Sequence, residues 1–247
     1  MIIGHRGAPN FAKENTIESF EKAIAIGVDM IEFDVRRTND PLFIVHHDES
    51  IQNRPLQALS YPTIREMVQQ RGFSIPTVEE VLRFTQGKVK LDVELKEEGY
   101  EKEIVELLLK YFEEDQFVIT SFKEISLKTI KDRYPDIKVG LLLGKFRAPL
   151  WTRISELFYM KRCKKARADV LVAHWTWLRF GFLERAQRHG KSVFVWTVND
   201  EKMMGSLFQE RRVDAIITDR PDLALSLRKR LPPSFGGDEI HHPHRSS

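Results

Sequence analysis

The sequence predicts a (β/α)8 barrel. Short, β-rich apolar runs recur along the 247 residues, helix-patterned stretches separate them, and polar residues gather where the runs end. Strands alternating with helices imply βαβ crossovers and a parallel sheet. In a barrel of this kind chemistry sits at the C-terminal ends of the strands.

The first run is "MIIGH" (1–5), closed by Arg6 and Gly7. "TIESFEKAIAIG" (16–27) then reads as a helix, with Asn15 and Thr16 as capping residues, Glu18 early and Gly27 as the stop. "MIEFDV" (30–35) and "LFIVHH" (42–47) are separated only by "RRTNDP". That turn is too short for a helical crossover, so the first run is a barrel strand and the second a small excursion after it. Helices are expected at "TVEEVLRFTQG" (77–87) and "YEKEIVELLLKYFEE" (100–114). The remaining strands are "VKLDVEL" (89–95), "FVITSF" (117–122), "IKVGLLLG" (137–144), "ADVLVAHW" (168–175), "SVFVWTV" (192–198) and "VDAIITD" (213–219). Eight βα units over about 220 residues match the barrel's size. A doubly wound open sheet is the second choice, weakened because no Gly-rich dinucleotide fingerprint follows a strand. The expected organisation is one barrel domain over 1–231 and a flexible polar tail over 232–247.

With 42% hydrophobic and 30% charged residues, the composition is that of an ordinary globular chain. A net charge of +3 gives no field that would select nucleic acid as partner. One cysteine, Cys163, permits no internal disulfide. Only Met1, Ile2 and Ile3 precede the first motif and no stretch is apolar enough to span a bilayer, so a cytoplasmic location is expected. Residues 148–169 have two readings. Trp151, Ile154, Leu157 and Phe158 form an apolar stripe, and Arg153, Lys161, Arg162, Lys164, Lys165 and Arg167 a basic run. An outer barrel helix needs such a stripe, which is the simpler reading; a membrane-surface helix shares it.

The strand ends carry the chemistry. Residues two apart on a strand share a face, so Glu32 and Asp34 point one way and Ile31, Phe33 and Val35 the other. Glu94 and Lys96 share a face on the next strand. Three acids directed into one mouth repel, and a divalent cation resolves the conflict; hard oxygen ligands suit Mg²⁺ or Ca²⁺. His5 and His47 end separate runs and suit a proton-transfer pair. Arg6 and Lys96 complement a phosphate. The set fits metal-assisted phosphoester chemistry, and Gly7 permits a sharp turn after the first strand.

These blocks resemble the bacterial glycerophosphodiester phosphodiesterase family. "GHRGAPNFAKENTIESF" is similar to its HRG…ENT opening, "IEFDVRRTNDPLFIVHHDE" to its E-x-D-V…H-D segment and "LDVELK" to its E-x-K strand. "IPTVEEVL", "VWTVND" and "AIITDRPDLAL" resemble later blocks, in order from about residue 3 to residue 227. The resemblance implies a (β/α)8 barrel that hydrolyses small glycerophosphodiesters to glycerol 3-phosphate and an alcohol with a divalent cation. It implies metal ligation by Glu32, Asp34 and Glu94, acid/base roles for His5 and His47, and phosphate binding by Arg6 and Lys96. It further implies a supporting role for Glu14 through His5, and an apolar wall made by Trp196 and Phe122. Asn15 is assigned to the helix cap.

Asp40-Pro41 replaces the family's Asp-Gly turn, His46 lies opposite His47 and is read as structural, and the excursion over 48–76 is short. Three other functions compete. One is a lysophospholipase D-like activity on lipid substrates; one is a non-catalytic phosphate-ester-binding barrel, disfavoured because no motif residue is missing. The third is a sugar isomerase or aldolase, disfavoured by Arg6 beside two histidines.

Overall fold

In the computed structural model, which describes residues 1–69, 71–144, 159–179 and 181–230, the apolar runs become strands. They are β1 (Ile2–Gly4), β2 (Met30–Arg37), β3 (Phe43–Val45), β4 (Ser50–Ile51), β5 (Arg54–Pro55), β6 (Lys90–Leu95) and β7 (Phe117–Ser121). β8 (Val139–Leu143), β9 (Val170–His174), β10 (Ser192–Trp196) and β11 (Ala215–Thr218) complete the set. Strands such as β7, β8 and β11 are buried at every position, as expected where helices cover one face and the barrel interior the other.

Eight parallel strands close in the order β1-β11-β10-β9-β8-β7-β6-β2, with β2 paired back to β1. Closure leaves no barrel edge open. β3 pairs antiparallel with β2, matching Val35 to Val45, and starts the excursion. The excursion continues through the small β4–β5 hairpin and helix Tyr61–Gln69 over its own core of Ile44, Ile51, Leu56, Leu59, Ile64 and Val68.

Two further cores follow from strand alternation. Ile31, Phe33 and Val35 pack outward with helix residues such as Phe20 and Ala23. Ile3, Met30, Val118, Val170, Phe194, Ala215 and Ile217 fill the barrel. Helix Ile17–Ile26 locks the start of the chain. Its cap is Thr16, whose side chain accepts from the Ser19 N–H, and it ends at Gly27 in the left-handed region. Asn15 is therefore not the cap, contrary to the sequence expectation.

Residues 148–158 of the proposed apolar stripe, and the tail 232–247, lie outside the described residues. Within helix Tyr159–Ala166, Arg162 and Lys165 are held by Glu124, and Arg167 just beyond it by Asp132. No helix among the described residues is long and apolar enough to cross a membrane.

Candidate active site

Register brings the acids together. β2 and β6 run parallel with Glu32 opposite Asp92 and Asp34 opposite Glu94, so four carboxylates face one another inside the upper barrel. Ligand oxygens of Glu32, Asp34 and Glu94 lie within 4.8 Å of one another, and all three residues are buried. Asp92 stands outside that trio, and its Oδ1 accepts from the Thr120 hydroxyl at 2.8 Å.

Two cations oppose four acids. Lys96 Nζ lies 2.7 Å from Asp34 Oδ1 and 2.6 Å from Glu94 Oε1. Arg6 Nε lies 3.2 Å from Asp34 Oδ2, and the Arg6 backbone N–H donates to Glu32 Oε2 at 2.9 Å. Burial opposes ionisation of Asp34, but Lys96 and Arg6 outweigh it and hold that carboxyl well below the usual range. Glu32 goes the other way, raised by burial and by the charges of Asp34 and Glu94. Glu94 is raised by burial despite Lys96, and Asp92 is pushed up to about 7, chiefly by burial. Glu32 Oε1 and Asp92 Oδ2 are buried without a hydrogen-bond partner. A cluster short of positive charge, with an orphaned oxygen in its ligand trio, fits a divalent cation.

The first turn is built around this cluster. Gly7 has φ 91° and an added Cβ would sit 2.4 Å from Ser19 Oγ, so only glycine fits. The Ser19 hydroxyl accepts from the Ala8 N–H and donates to the Arg6 carbonyl, pinning the turn to the first helix. Arg6 and Asn15 both lie in the left-handed region, at φ 54° and 58°. Asn15 Nδ2 donates to Asp34 Oδ2 at 2.7 Å, which makes it a site residue that sequence reasoning had assigned elsewhere. Glu14 also differs from expectation: its carboxylate lies 3.0 Å from Arg6, not on His5. The partner of His5 is Asp219, whose Oδ1 is 2.6 Å from His5 Nδ1. Burial works against ionisation of Asp219, but the His5 bond keeps its carboxyl low.

His47 enters from the excursion with Nδ1 2.8 Å from Asp48 Oδ1, and burial lowers its pKa. Arg36 donates to the His47 carbonyl and pairs with Glu97. His46 does not line the cavity, whereas His5, Arg6, Glu32, Glu94, Lys96 and His47 do. That cavity measures about 1240 Å³. Its far wall holds Phe122 and Trp196, whose rings meet edge to face at 5.8 Å. Trp196 is fixed further by its Nε1–H bond to the Val172 carbonyl and by the His174 ring. Every candidate residue named from sequence thus lines this cavity except Asp34, which is buried in the acid trio beside it, and Glu14, which reaches it through Arg6. Asp219 carried a signal by ending the last strand; Asn15 carried none beyond its place beside Glu14.

The glycerophosphoryl diester phosphodiesterase family model matches residues 5–223, from the first histidine to just past Asp219. The chain belongs to that family. YhdW of Bacillus subtilis is 31% identical over 91% of this chain and 96% of its own. A glycerophosphodiester phosphodiesterase of Caldanaerobacter subterraneus is 27% identical over 93% of this chain and 98% of its own. Among solved structures, an Oleispira antarctica phosphodiesterase in complex with the product sn-glycerol-3-phosphate superposes with a TM-score of 0.78. It is 23% identical and covers 93% of this chain and 96% of that one, a likeness of fold. Family membership and the closed barrel agree with the resemblance read from the motifs.

Proposed function

We propose that this chain hydrolyses glycerophosphodiesters to sn-glycerol 3-phosphate and an alcohol, using one divalent cation and a pair of histidines. The carrying observation is the buried trio Glu32, Asp34 and Glu94 beside two imidazoles on separate loops. Mg²⁺ or Ca²⁺ is the proposed ion, held by those three carboxylates, because every ligand atom is a hard oxygen. When bound, such an ion polarises phosphoryl oxygens and offsets the charge that develops in displacement.

Arg6 and Lys96 add fixed positive charge at the same mouth, where a phosphodiester would otherwise meet an excess of acid. One imidazole takes the proton of the attacking oxygen, from water or the neighbouring glycerol hydroxyl. The other donates a proton to the alcohol oxygen as its bond to phosphorus breaks. If the glycerol hydroxyl attacks, a cyclic phosphate forms and water opens it in a second step. Phe122 and Trp196 provide the apolar wall against which the carbon skeleton packs.

The test is incubation with glycerophosphocholine and assay of sn-glycerol 3-phosphate, with Mg²⁺, with Ca²⁺ and with excess chelator. Product with an ion and none in chelator is expected. No product with either ion would overturn the activity, and undiminished product in chelator would overturn the cation alone. A panel of released alcohols, including lysophospholipids, then separates soluble from lipid substrates.

A further inference from the structure

We infer that Asp219, braced by Asn199, is a positioning residue that holds His5 as the tautomer whose Nε2 lone pair faces the acid cluster. The inference rests on the reading of His5 as a proton-transfer group and adds how the fold keeps it ready.

Topology places the three residues side by side. His5 follows β1, Asp219 follows β11 and Asn199 follows β10, and these strands are neighbours in the barrel. The His5 N–H donates to the Thr218 carbonyl at 2.9 Å, so the two strand ends are in register before any side chain acts. His5 Nδ1 then lies 2.6 Å from Asp219 Oδ1, and Nε2 lies on the other side, 4.0 Å from Glu32 Oε2. A carboxylate only accepts, so Nδ1 carries the hydrogen and the neutral ring presents its lone pair at Nε2.

Asn199 makes the carboxylate's orientation unambiguous. Its Oδ1 accepts from the Asp219 backbone N–H at 2.9 Å and from the Thr218 hydroxyl at 3.1 Å. A backbone N–H only donates, so the amide oxygen is fixed there and Nδ2 must face Asp219. That Nδ2 donates to Asp219 Oδ2 at 2.6 Å. Each oxygen of Asp219 thus has one assigned donor. The arrangement is the His–carboxylate pair of acyl-transfer enzymes applied to a barrel mouth. His47 has a weaker version: its Asp48 partner is adjacent in sequence and its side chain is 71% exposed.

The hydrogen-bond directions make a sharp forecast for Asp219→Asn. The new amide must turn its oxygen to the Asn199 donor, which leaves its NH₂ facing His5. Nδ1 must then accept, and the proton moves to Nε2, where it blocks the lone pair. In the Mg²⁺-loaded protein, imidazole ¹⁵N spectra recorded at a pH above which the ring signals no longer move should show His5 protonated on Nδ1. Asp219→Asn should show it on Nε2, with kcat lowered about 10²–10³-fold. KM should stay within about threefold, because Asp219 does not line the cavity. Asn199→Ala should keep the Nδ1–H tautomer and lose less than about tenfold in kcat.

A wild-type spectrum with His5 protonated on Nε2 overturns the inference, and it needs no variant to fold. So does an Asp219→Asn protein with unchanged tautomer and kcat. If the tautomers behave as stated but His5→Ala retains full turnover, the positioning stands and the proton-transfer reading of His5 fails.

Discussion

The two halves of the barrel mouth are built on opposite principles. Around β1, β2 and β6 the rim is charged: His5, Arg6, Glu32, Asp92, Glu94 and Lys96 line it, with Asp34 behind Lys96 and Asp219 behind His5. Among the described residues around β7 to β10 it is mainly apolar: Phe122, Leu142 and Trp196 line the cavity over the interior core, with Thr120 and Lys123 as the polar members. The charged half gathers like charges where water is scarce, an arrangement that destabilises a fold unless a ligand compensates it. The apolar half packs as any core does and holds its aromatics rigidly. The difference teaches that the charged half suits binding of an ion and a phosphodiester while the apolar half sets shape, so changes in each should move different kinetic constants.

The largest effect is expected from Glu94→Gln. It removes one charge from the ligand trio with almost no change of shape, and the glutamine oxygen still accepts from Lys96. Disturbing an outer-shell partner of a metal site typically costs about 10–100-fold. Loss of a ligand charge should exceed that in kcat/KM and should weaken Mg²⁺ affinity measured by calorimetry. Wild-type affinity and rate would show that the acids of the charged half do not act on a metal.

Next comes His47→Ala, expected to lower kcat about 10²-fold, at the low end for a proton-transfer group because solvent reaches the ring. His46→Ala should change kcat less than about threefold, since His46 does not line the cavity. Equal losses at the two positions would show that His46 as well as His47 acts on the substrate. The smallest effect belongs to the apolar half. Trp196→Ala should raise KM about tenfold and leave kcat within about threefold, the signature of lost uniform binding. A kcat loss as large as that of His47→Ala would erase the distinction between the halves.

Much of this was legible in the chain. Alternation with period two is local, so it placed Glu32 and Asp34 on one face and Ile31, Phe33 and Val35 on the other before any fold was known. Strand runs separated by helical patterns likewise implied a parallel barrel, because parallel neighbours require a crossover between them. The HRG turn was also readable, since Gly7 permits a sharp turn after the first strand; the clash with Ser19 that excludes any other residue is visible only in the fold. What sequence alone could not decide were pairings that depend on closure. Asp219 is 214 residues from His5, and only the β1–β11 register sets them 2.6 Å apart. Asn and Thr both cap helices well, so the sequence alone offers Asn15 as readily as Thr16. The choice fell to Thr16 once Asn15 adopted a left-handed backbone and turned its amide to Asp34. Glu14 reached Arg6 rather than His5 for the same kind of reason: the direction of a side chain leaving a turn is set by the three-dimensional path of the backbone. Local chemistry and periodicity determined which residues face the site; the closing of the barrel decided which of them touch.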